Sequence, residues 1–424
     1  MIILILQDKR TSQNLTTRAV LITGISGFVG SYLAHHLLDA GHDVTGLIVR
    51  RADNQKPKRL KDIISNLHLI YGDITELTSI LSTIQVVKPD WIFHLASQSF
   101  VPQSFKDPLG TFRVNCLGTQ NVLEAVRLKN LESRLIFAGT SEEYGLQFKD
   151  IDHFERMRKK YGIIEPFPKS FPELPVNEEG PLRPMSPYAT SKVFGDYAFR
   201  NYHDTYNLYT IVSRAFNHEG AGRGDLFVTS SIVRQVVAMH LNEADTMKIG
   251  DVLSFRDWSH VKDIVDGYSR LAERAEAGSI YVQGSMRTNS VLSYILFTIS
   301  SLGYEIFKIR TVKHEKIVKD PLTKAIVNIG NVKLESNTID QMLLSNALAY
   351  DLSDEGLVIE TDKREFKIEF DPVKFRPSDV PILLSNIEKI KNLGFEPKRE
   401  LVDIITDQID YYLDSMHRNN SLLD

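Results

Sequence analysis

From Arg18 onward, short runs of apolar and β-branched residues alternate with longer stretches in which apolar positions recur every three or four residues. The short runs RAVLIT (18–23), DVTGLIV (43–49), LHLIYG (67–72), DWIFHL (90–95) and RLIFAG (134–139) predict strands covered on both faces. Between them, FVGSYLAHHLLDAG, ELTSILSTIQVV and TFRVNCLGTQNVLEAVRLKN predict helices with one apolar stripe each. Strand and helix in alternation describe an α/β fold with an open, doubly wound parallel sheet of the Rossmann kind.

The alternation stops after Gly145. A charged stretch (DIDHFERMRKKYG) leads into a segment from Pro166 to Pro187 that holds seven of the sixteen prolines, and the whole reads as an irregular excursion, neither strand nor helix. Periodicity returns at SPYATSKVFGDYAFRNYHDTY, a helix capped by Ser186 with Pro187 in its first turn, followed by the strand LYTIVSR. On this reading the sheet is complete by Arg214 and a dinucleotide-type domain spans 18–215, with 255–275 returning to it. Residues 216–254 and 276–424 predict a smaller α/β lobe over the strand ends. Charged β-like pieces (AIVNIGNVKLE, GLVIETD, FKIEF) mark a hairpin-rich insertion at about 304–371. Residues 1–17 read as an extension, since the apolar opening Met1–Leu6 has no basic stretch before it and is far short of the ~20 apolar residues a bilayer requires.

With 424 residues, 42% hydrophobic, the chain can bury a large core. Fifty basic against fifty-four acidic side chains give a net charge of -4 with no long block of one sign, so neither nucleic acid nor an anionic membrane is an expected partner. The single cysteine, Cys116, excludes an intramolecular disulfide and any multi-cysteine metal site and fits a reducing cytoplasm. His35 and His36 are adjacent on a helix and point about 100° apart, so they do not share a metal face. No other histidine pair has ligand spacing with a carboxylate, and no metal site is expected.

Three groups of residues carry candidate chemistry. In TGISGFVG, Gly24, Gly27 and Gly30 lie between the first strand and the first helix, where a tight turn, bare backbone and helix amides together receive a pyrophosphate. At the end of the second strand an acidic residue would grip the ribose of NAD. This chain has Val49, Arg50 and Arg51 there, and two guanidiniums suit the 2′-phosphate of NADP instead. Asp73, after the third strand, is placed to accept from the adenine amino group, although an aspartate there also serves as a turn residue.

The second group is Tyr188 and Lys192 in YATSK, four apart on a helix and so on one face. Lowering a phenol by ~3 pH units takes ~4 kcal/mol, which a buried ammonium and a cationic cofactor ring can supply. Tyr304 and Lys308 repeat the spacing away from the sheet, as a structural pair. The third group is GTSEEYG (139–145), where Thr140, Ser141, Glu142 and Glu143 follow the fifth strand. The same letters make a turn or helix cap, but facing a cofactor and a tyrosine, a carboxylate becomes a proton acceptor, and Glu142 is chosen over Glu143.

Together TGISGFVGSYLAHHLL, VRRADN, FHLASQSFVPQSFKDP, VNCLGTQNVLEAVR, TSEEYG, SPYATSK, RAFNHEGAGRGDLFVT, RDWSHVKDIVDG and FRPSDVPILL resemble the extended short-chain dehydrogenases/reductases (the NAD-dependent epimerase/dehydratase family). Within them the text is most similar to the GDP-mannose 4,6-dehydratases, over roughly 18–303 and 371–416. The resemblance implies NADP held by Gly24, Gly27, Phe28, Val29, Gly30, Arg50, Arg51, Asp73, Ile74, Leu95, Ala96, Ser97, Tyr188 and Lys192. It implies a nucleotide-diphosphate hexose held by Ser99, Ser141, Asn217, Arg223, Arg256, Arg376 and Asp379, and a homodimer or homotetramer paired through helices flanking the sheet. In the implied reaction Tyr188 takes the proton of the sugar 4-hydroxyl, Thr140 hydrogen-bonds the resulting ketone, Glu142 removes the proton on carbon 5, water leaves carbon 6, and the stored hydride returns there.

This chain departs from the resemblance in three places. Ser230 and Ser231 stand where the family commonly has a basic pair, the excursion 148–184 is much longer and implies a different lid over the sugar, and the insertion has no assignable counterpart. The alternatives are a 4-epimerase or 4-keto reductase on the same scaffold, or a non-catalytic NADP-binding module.

Overall fold

The structure is a computed structural model describing residues 17–49, 57–313, 315–330, 332–376, 379–415 and 417. Strands β1 (Ala19–Thr23), β2 (Asp43–Ile48), β3 (His68–Tyr71), β4 (Trp91–His94), β5 (Arg134–Thr140) and β6 (Tyr209–Ala215) fall where the apolar runs place them. They form a seven-stranded sheet in which every neighbouring pair is parallel. Its order is Ile280–Gln283, β6, β5, β4, β1, β2, β3.

Side chains on a strand alternate between faces, and the two apolar cores divide accordingly. Val20, Ile22, Phe93 and Ile136 point to the face covered by helices Phe28–Asp39 and Val261–Arg274. Leu21, Ile92, Leu135 and Phe137 point to the face covered by Leu77–Val87, Gly118–Lys129 and Pro187–Tyr206. Both faces are dry, which is why these strands read as unbroken apolar runs.

Two expectations are corrected. The sheet is not complete by Arg214: Ile280–Gln283, read as part of the smaller lobe, adds a seventh strand beside β6. Four residues are too few for their period to stand out from the lobe around them. Nor is the excursion wholly irregular, because Ile151–Tyr161 is a helix capped by Asp150, whose carboxylate accepts from the His153 amide at 2.6 Å. Its Phe154, Met157 and Tyr161 follow helical spacing and pack with Leu146, Phe148, Ile164 and Phe171 in a small separate core. The high charge of the other face masked that stripe.

Helices Val228–His240, Val291–Ser301 and Leu401–Leu413 pack together in the smaller lobe. The insertion is hairpin-rich as expected. Ile317–Lys319, Ile306–Thr311, Gly356–Thr361 and Glu365–Phe370 pair antiparallel in that order, and the last joins the lobe strand Thr246–Ile249 in parallel. Lys324–Ile329 and Val332–Asn337 form a separate hairpin. Tyr304 and Lys308 do not share a helix face: Lys308 lies in a strand and pairs with Glu360 at 2.7 Å, while the Tyr304 hydroxyl bonds His240 at 3.0 Å.

Candidate active site

A cavity of about 1550 Å³ opens at the carboxyl ends of β1, β4 and β5 and runs under the smaller lobe. Sites for one small ligand hold roughly 300–1,000 Å³, so this space suits two ligands side by side. Every sequence-identified site residue that the structure describes lines it; Arg50 and Arg51 lie outside the described residues.

At one end the three glycines play different parts. Gly24 takes φ +75°, and a Cβ there would lie 2.8 Å from the Ala96 backbone; a Cβ on Gly30 would lie 2.3 Å from the Gly24 carbonyl oxygen. Those two are required by the protein's own packing. A Cβ on Gly27 would meet only the Gly24 carbonyl, at 3.2 Å, so its bareness leaves a cradle open to the cavity. The helix that follows has no acidic residue in its first turn, and its amides and dipole face that cradle unopposed. These features fit a dinucleotide pyrophosphate. Arg59 also lines this end and donates to the Gly222 carbonyl at 3.0 and 3.2 Å. Asp73 does serve its turn, accepting from the Thr75 amide and hydroxyl at 2.8 and 2.9 Å, while also lining the cavity.

In the middle, β5 ends at Thr140 and turns through Ser141–Glu143 in a reciprocal cap. The Thr140 hydroxyl accepts from the Glu142 amide at 3.3 Å, and Glu143 accepts from the Thr140 amide at 2.8 Å. The cap sends Glu142 into the cavity and Glu143 into the interior. Opposite, the Pro187–Tyr206 helix starts at Ser186, whose hydroxyl accepts from the Ala189 amide at 3.0 Å, and presents Tyr188 and Lys192. Tyr188 hydrogen-bonds Thr140, and the Lys192 ammonium donates to the Ala138 carbonyl at 2.7 Å.

Burial raises the Tyr188 phenol above its ordinary value; the Thr140 hydrogen bond and Arg223 pull the other way, while Glu142 and Glu143 add to the rise. Burial lowers Lys192 to about 8, against the field of Glu143. Glu142 is raised by burial, against Arg256 and Arg376, so it holds a proton more readily than a free glutamate. A carboxyl and a phenol with shifted affinities facing one space are the components of acid–base catalysis.

At the far end Arg256 is buried and locked, donating to Asp379 at 2.8 Å and to the Val380 and Phe255 carbonyls at 2.7 and 2.9 Å. Arg376 meets the same Asp379 oxygen at 3.3 Å, so this aspartate fixes two guanidiniums on the cavity wall. Arg223 pairs with Glu219 at 3.4 Å and lies 3.7 Å over the Phe227 ring. The buried Asn217 Oδ1 has no partner within the protein.

Sequence reasoning missed two sets of lining or supporting residues. Arg234, Lys248 and Lys374 line the far end, where Ser230 and Ser231 had seemed to remove cations. Arg234 is one helical turn past that serine pair, a signal that spacing alone could have shown. Lys374 is lowered by burial, with Arg234 and Lys248 adding to the effect. Asn115 sits in a π-helical turn, Arg113–Leu117, and bonds both Gln98 and the Ser191 hydroxyl, the latter at 2.9 Å.

Among the described residues, neither 143–187 nor 304–371 contributes to the cavity wall, so the excursion does not cover the sugar space as expected. It lies behind the wall, where the Tyr161 hydroxyl reaches the Asp379 carbonyl at 3.4 Å, and it meets the insertion through Lys149 and the Leu344 carbonyl. His94 is a core residue held between Thr23 and Thr119 at 2.9 and 3.0 Å, with burial lowering it to about 3. Cys116 is half-buried, its thiol pushed up to about 11 by burial. Among the described residues there is no group of three metal-capable side chains, and no helix is long and apolar enough to cross a membrane.

Known proteins resemble this chain in sequence and in fold. The family model described as NAD dependent epimerase/dehydratase family matches residues 20–284. GDP-mannose 4,6-dehydratase from Sinorhizobium fredii is 31% identical over 77% of this chain and 88% of its own. The enzyme of that name from Drosophila melanogaster is 29% identical over 95% and 88%. Among solved structures, RMD from Pseudomonas aeruginosa complexed with NADPH aligns with a TM-score of 0.64 at 21% identity, covering 93% of this chain and 99% of that one. The dTDP-glucose 4,6-dehydratase DesIV from Streptomyces venezuelae, with NAD bound, also gives 0.64 at 21% identity, over 93% and 97%. The glycine cradle, the tyrosine–lysine helix and these matches lead to one statement: the chain belongs to the NAD-dependent epimerase/dehydratase family.

Proposed function

We propose that this protein is a nucleotide-sugar 4,6-dehydratase, a hydro-lyase that takes GDP-mannose or a close relative and forms a 4-keto-6-deoxy sugar. The observation that carries the proposal is Glu142 facing the same cavity as Thr140, Tyr188 and Lys192. A 4-epimerase or 4-keto reductase needs the tyrosine and lysine but has no carbon-bound proton for Glu142 to remove. The relatives named GDP-mannose 4,6-dehydratase favour the mannose nucleotide.

The cofactor of this reading is NADP, because the second strand runs into Arg50 and Arg51 where an acidic residue would select NAD. When bound, it would accept hydride from carbon 4 and give it back at carbon 6. The chain's own residues do the rest. Tyr188 accepts the proton of the 4-hydroxyl, and Thr140 holds the oxygen as it becomes a ketone. That ketone acidifies carbon 5, from which Glu142 takes a proton that it passes to the hydroxyl leaving carbon 6, and the proton held by Tyr188 is returned to carbon 5 as carbon 6 is reduced. Lys192 steadies the charge on the phenol side. Asn217, Arg223, Arg256 and Arg376 hold the diphosphate and ribose, with Asp379 fixing the last two arginines. Dimers or tetramers would form through the helices flanking the sheet, where Leu117, Leu128, Phe194 and Tyr197 are exposed. A reducing cytoplasm suits the lone Cys116.

Incubation with GDP-mannose and no added NADPH tests the reading. It predicts a 4-keto-6-deoxy product at many turnovers per protein; product that requires stoichiometric NADPH would make the protein a reductase.

A further inference from the structure

Glu143 is fully buried directly behind the proposed acid–base groups, and the reaction described above leaves it no step. Its Oε1 accepts from the Thr140 amide at 2.8 Å, while Oε2 lies 3.7 Å from the Arg214 guanidinium and has no hydrogen-bond partner. Such an orphaned buried carboxyl oxygen is costly unless something else requires it.

The charges around it come from every element packed on this turn. From β6, Arg214 donates to Asp196 at 2.8 Å and to the Tyr144 hydroxyl and the Glu178 carbonyl at 3.2 and 2.9 Å. From the Pro187–Tyr206 helix come Asp196, itself held by Arg200 at 2.8 Å, and Lys192, with Tyr188 one turn before it. Two carboxylates therefore share the fully engaged Arg214, but only Asp196 has a further arginine in Arg200, and the second cation acting on Glu143 is Lys192. Glu143 acts on Lys192 and Tyr188 in the same sense, favouring the protonated form of each.

We propose that Glu143 is a positioning residue for the Tyr188–Lys192 pair: one carboxyl oxygen fixes the Thr140 end of β5, and the charge on the other sets the pH at which the phenol gives up its proton. Burial first, then Asp196, raises the Glu143 carboxyl to about 8 against Arg214 and Lys192, so above that value it is charged and opposes the phenolate at the higher pH where the raised Tyr188 phenol gives up its proton. The proposal rests on Tyr188 being the base of the reaction above, but its first readout needs no substrate.

The phenolate absorbance of Tyr188 is isolated as the difference between the protein and Tyr188→Phe across a pH titration. Glu143→Gln keeps an acceptor for the Thr140 amide and removes the charge. It is expected to move the Tyr188 step about one pH unit toward acid. With GDP-mannose, the acid limb of the rate profile should move the same way. A Tyr188 step in Glu143→Gln that coincides with that of the unchanged protein overturns the proposal. Absence of turnover with an acid-shifted step would instead count against the substrate reading alone. Should Glu143→Gln not fold, Glu143→Asp keeps the charge and shortens the reach to Thr140. An unshifted step with a lower Tyr188–Thr140 rigidity, read as faster exchange of the Thr140 amide, supports the proposal, and a shifted step or unchanged exchange contradicts it.

Discussion

The end of the cavity proposed for the dinucleotide is assembled from the turns after β1, β3 and β4, all between Gly24 and Ser97, and each turn follows a strand of one continuous sheet. The end proposed for the nucleotide sugar draws on Asn217, Arg223, Arg256 and Arg376, which lie on separate small sheets and loops of the lobe. In the first, steric rules dictate the residues: only glycine fits at positions 24 and 30. In the second, charge does, and the same field can be made by residues from different places. That difference explains why Arg234, Lys248 and Lys374 can populate a wall that Ser231, where the resemblance leads one to expect a cation, also lines.

The largest effect expected falls where the two halves meet. Glu142→Gln should lower dehydration by about 10²–10⁴-fold while dinucleotide binding is kept, because only the proton-transfer group is lost. Turnover close to that of the unchanged protein would make the shared wall a reductase site. On the dinucleotide side, Gly24→Ala forces a positive φ and a 2.8 Å contact on Ala96. It should cost about 1–3 kcal/mol of stability, seen as a lower melting temperature. Gly27→Ala, by contrast, should fold normally and bind the dinucleotide at least about tenfold more weakly in calorimetry, since its Cβ fills space meant for ligand.

On the sugar side, Arg256→Met removes one of the two guanidiniums held by Asp379. Its KM for the nucleotide sugar should rise on the order of tenfold or more, with dinucleotide affinity unchanged. Equal losses at both ends would dissolve the distinction between the halves. The pH profile offers a finer test. The folded value of Lys192 lies below its ordinary one, so the ammonium is charged below about pH 8 and loses its charge as pH rises through that value. kcat should fall on that alkaline side, and Lys192→Arg, which stays charged, should carry the limb upward. The smallest effect belongs to Ser231→Lys: a half-exposed added cation should tighten nucleotide binding by no more than a few-fold.

How far the sequence reached follows the same division. The six strands through β6, the glycine turn, the Ser186 cap and the Tyr188–Lys192 pair were all legible because each is local: a period, a cap, or a spacing on one element. What escaped depends on distant contacts. The strand Ile280–Gln283 is too short to announce itself and acquires its identity by pairing with β6. The helix Ile151–Tyr161 is a charged segment whose apolar stripe has meaning only against Phe148 and Phe171. Glu142 was chosen over Glu143 from the sequence and does line the cavity, but what Glu143 touches was not legible, because one reciprocal cap sends adjacent glutamates to opposite environments.

The central claim is that one cavity oxidises carbon 4 and reduces carbon 6 of the same sugar. GDP-mannose deuterated at carbon 4 and also carrying carbon-13 throughout the hexose, mixed with unlabelled substrate and converted without added NADPH, measures this directly. The account predicts deuterium at carbon 6 of the product in the same molecules that carried it, with no exchange between labelled and unlabelled sugars. Deuterium retained at carbon 4, or scattered among product molecules, would contradict it.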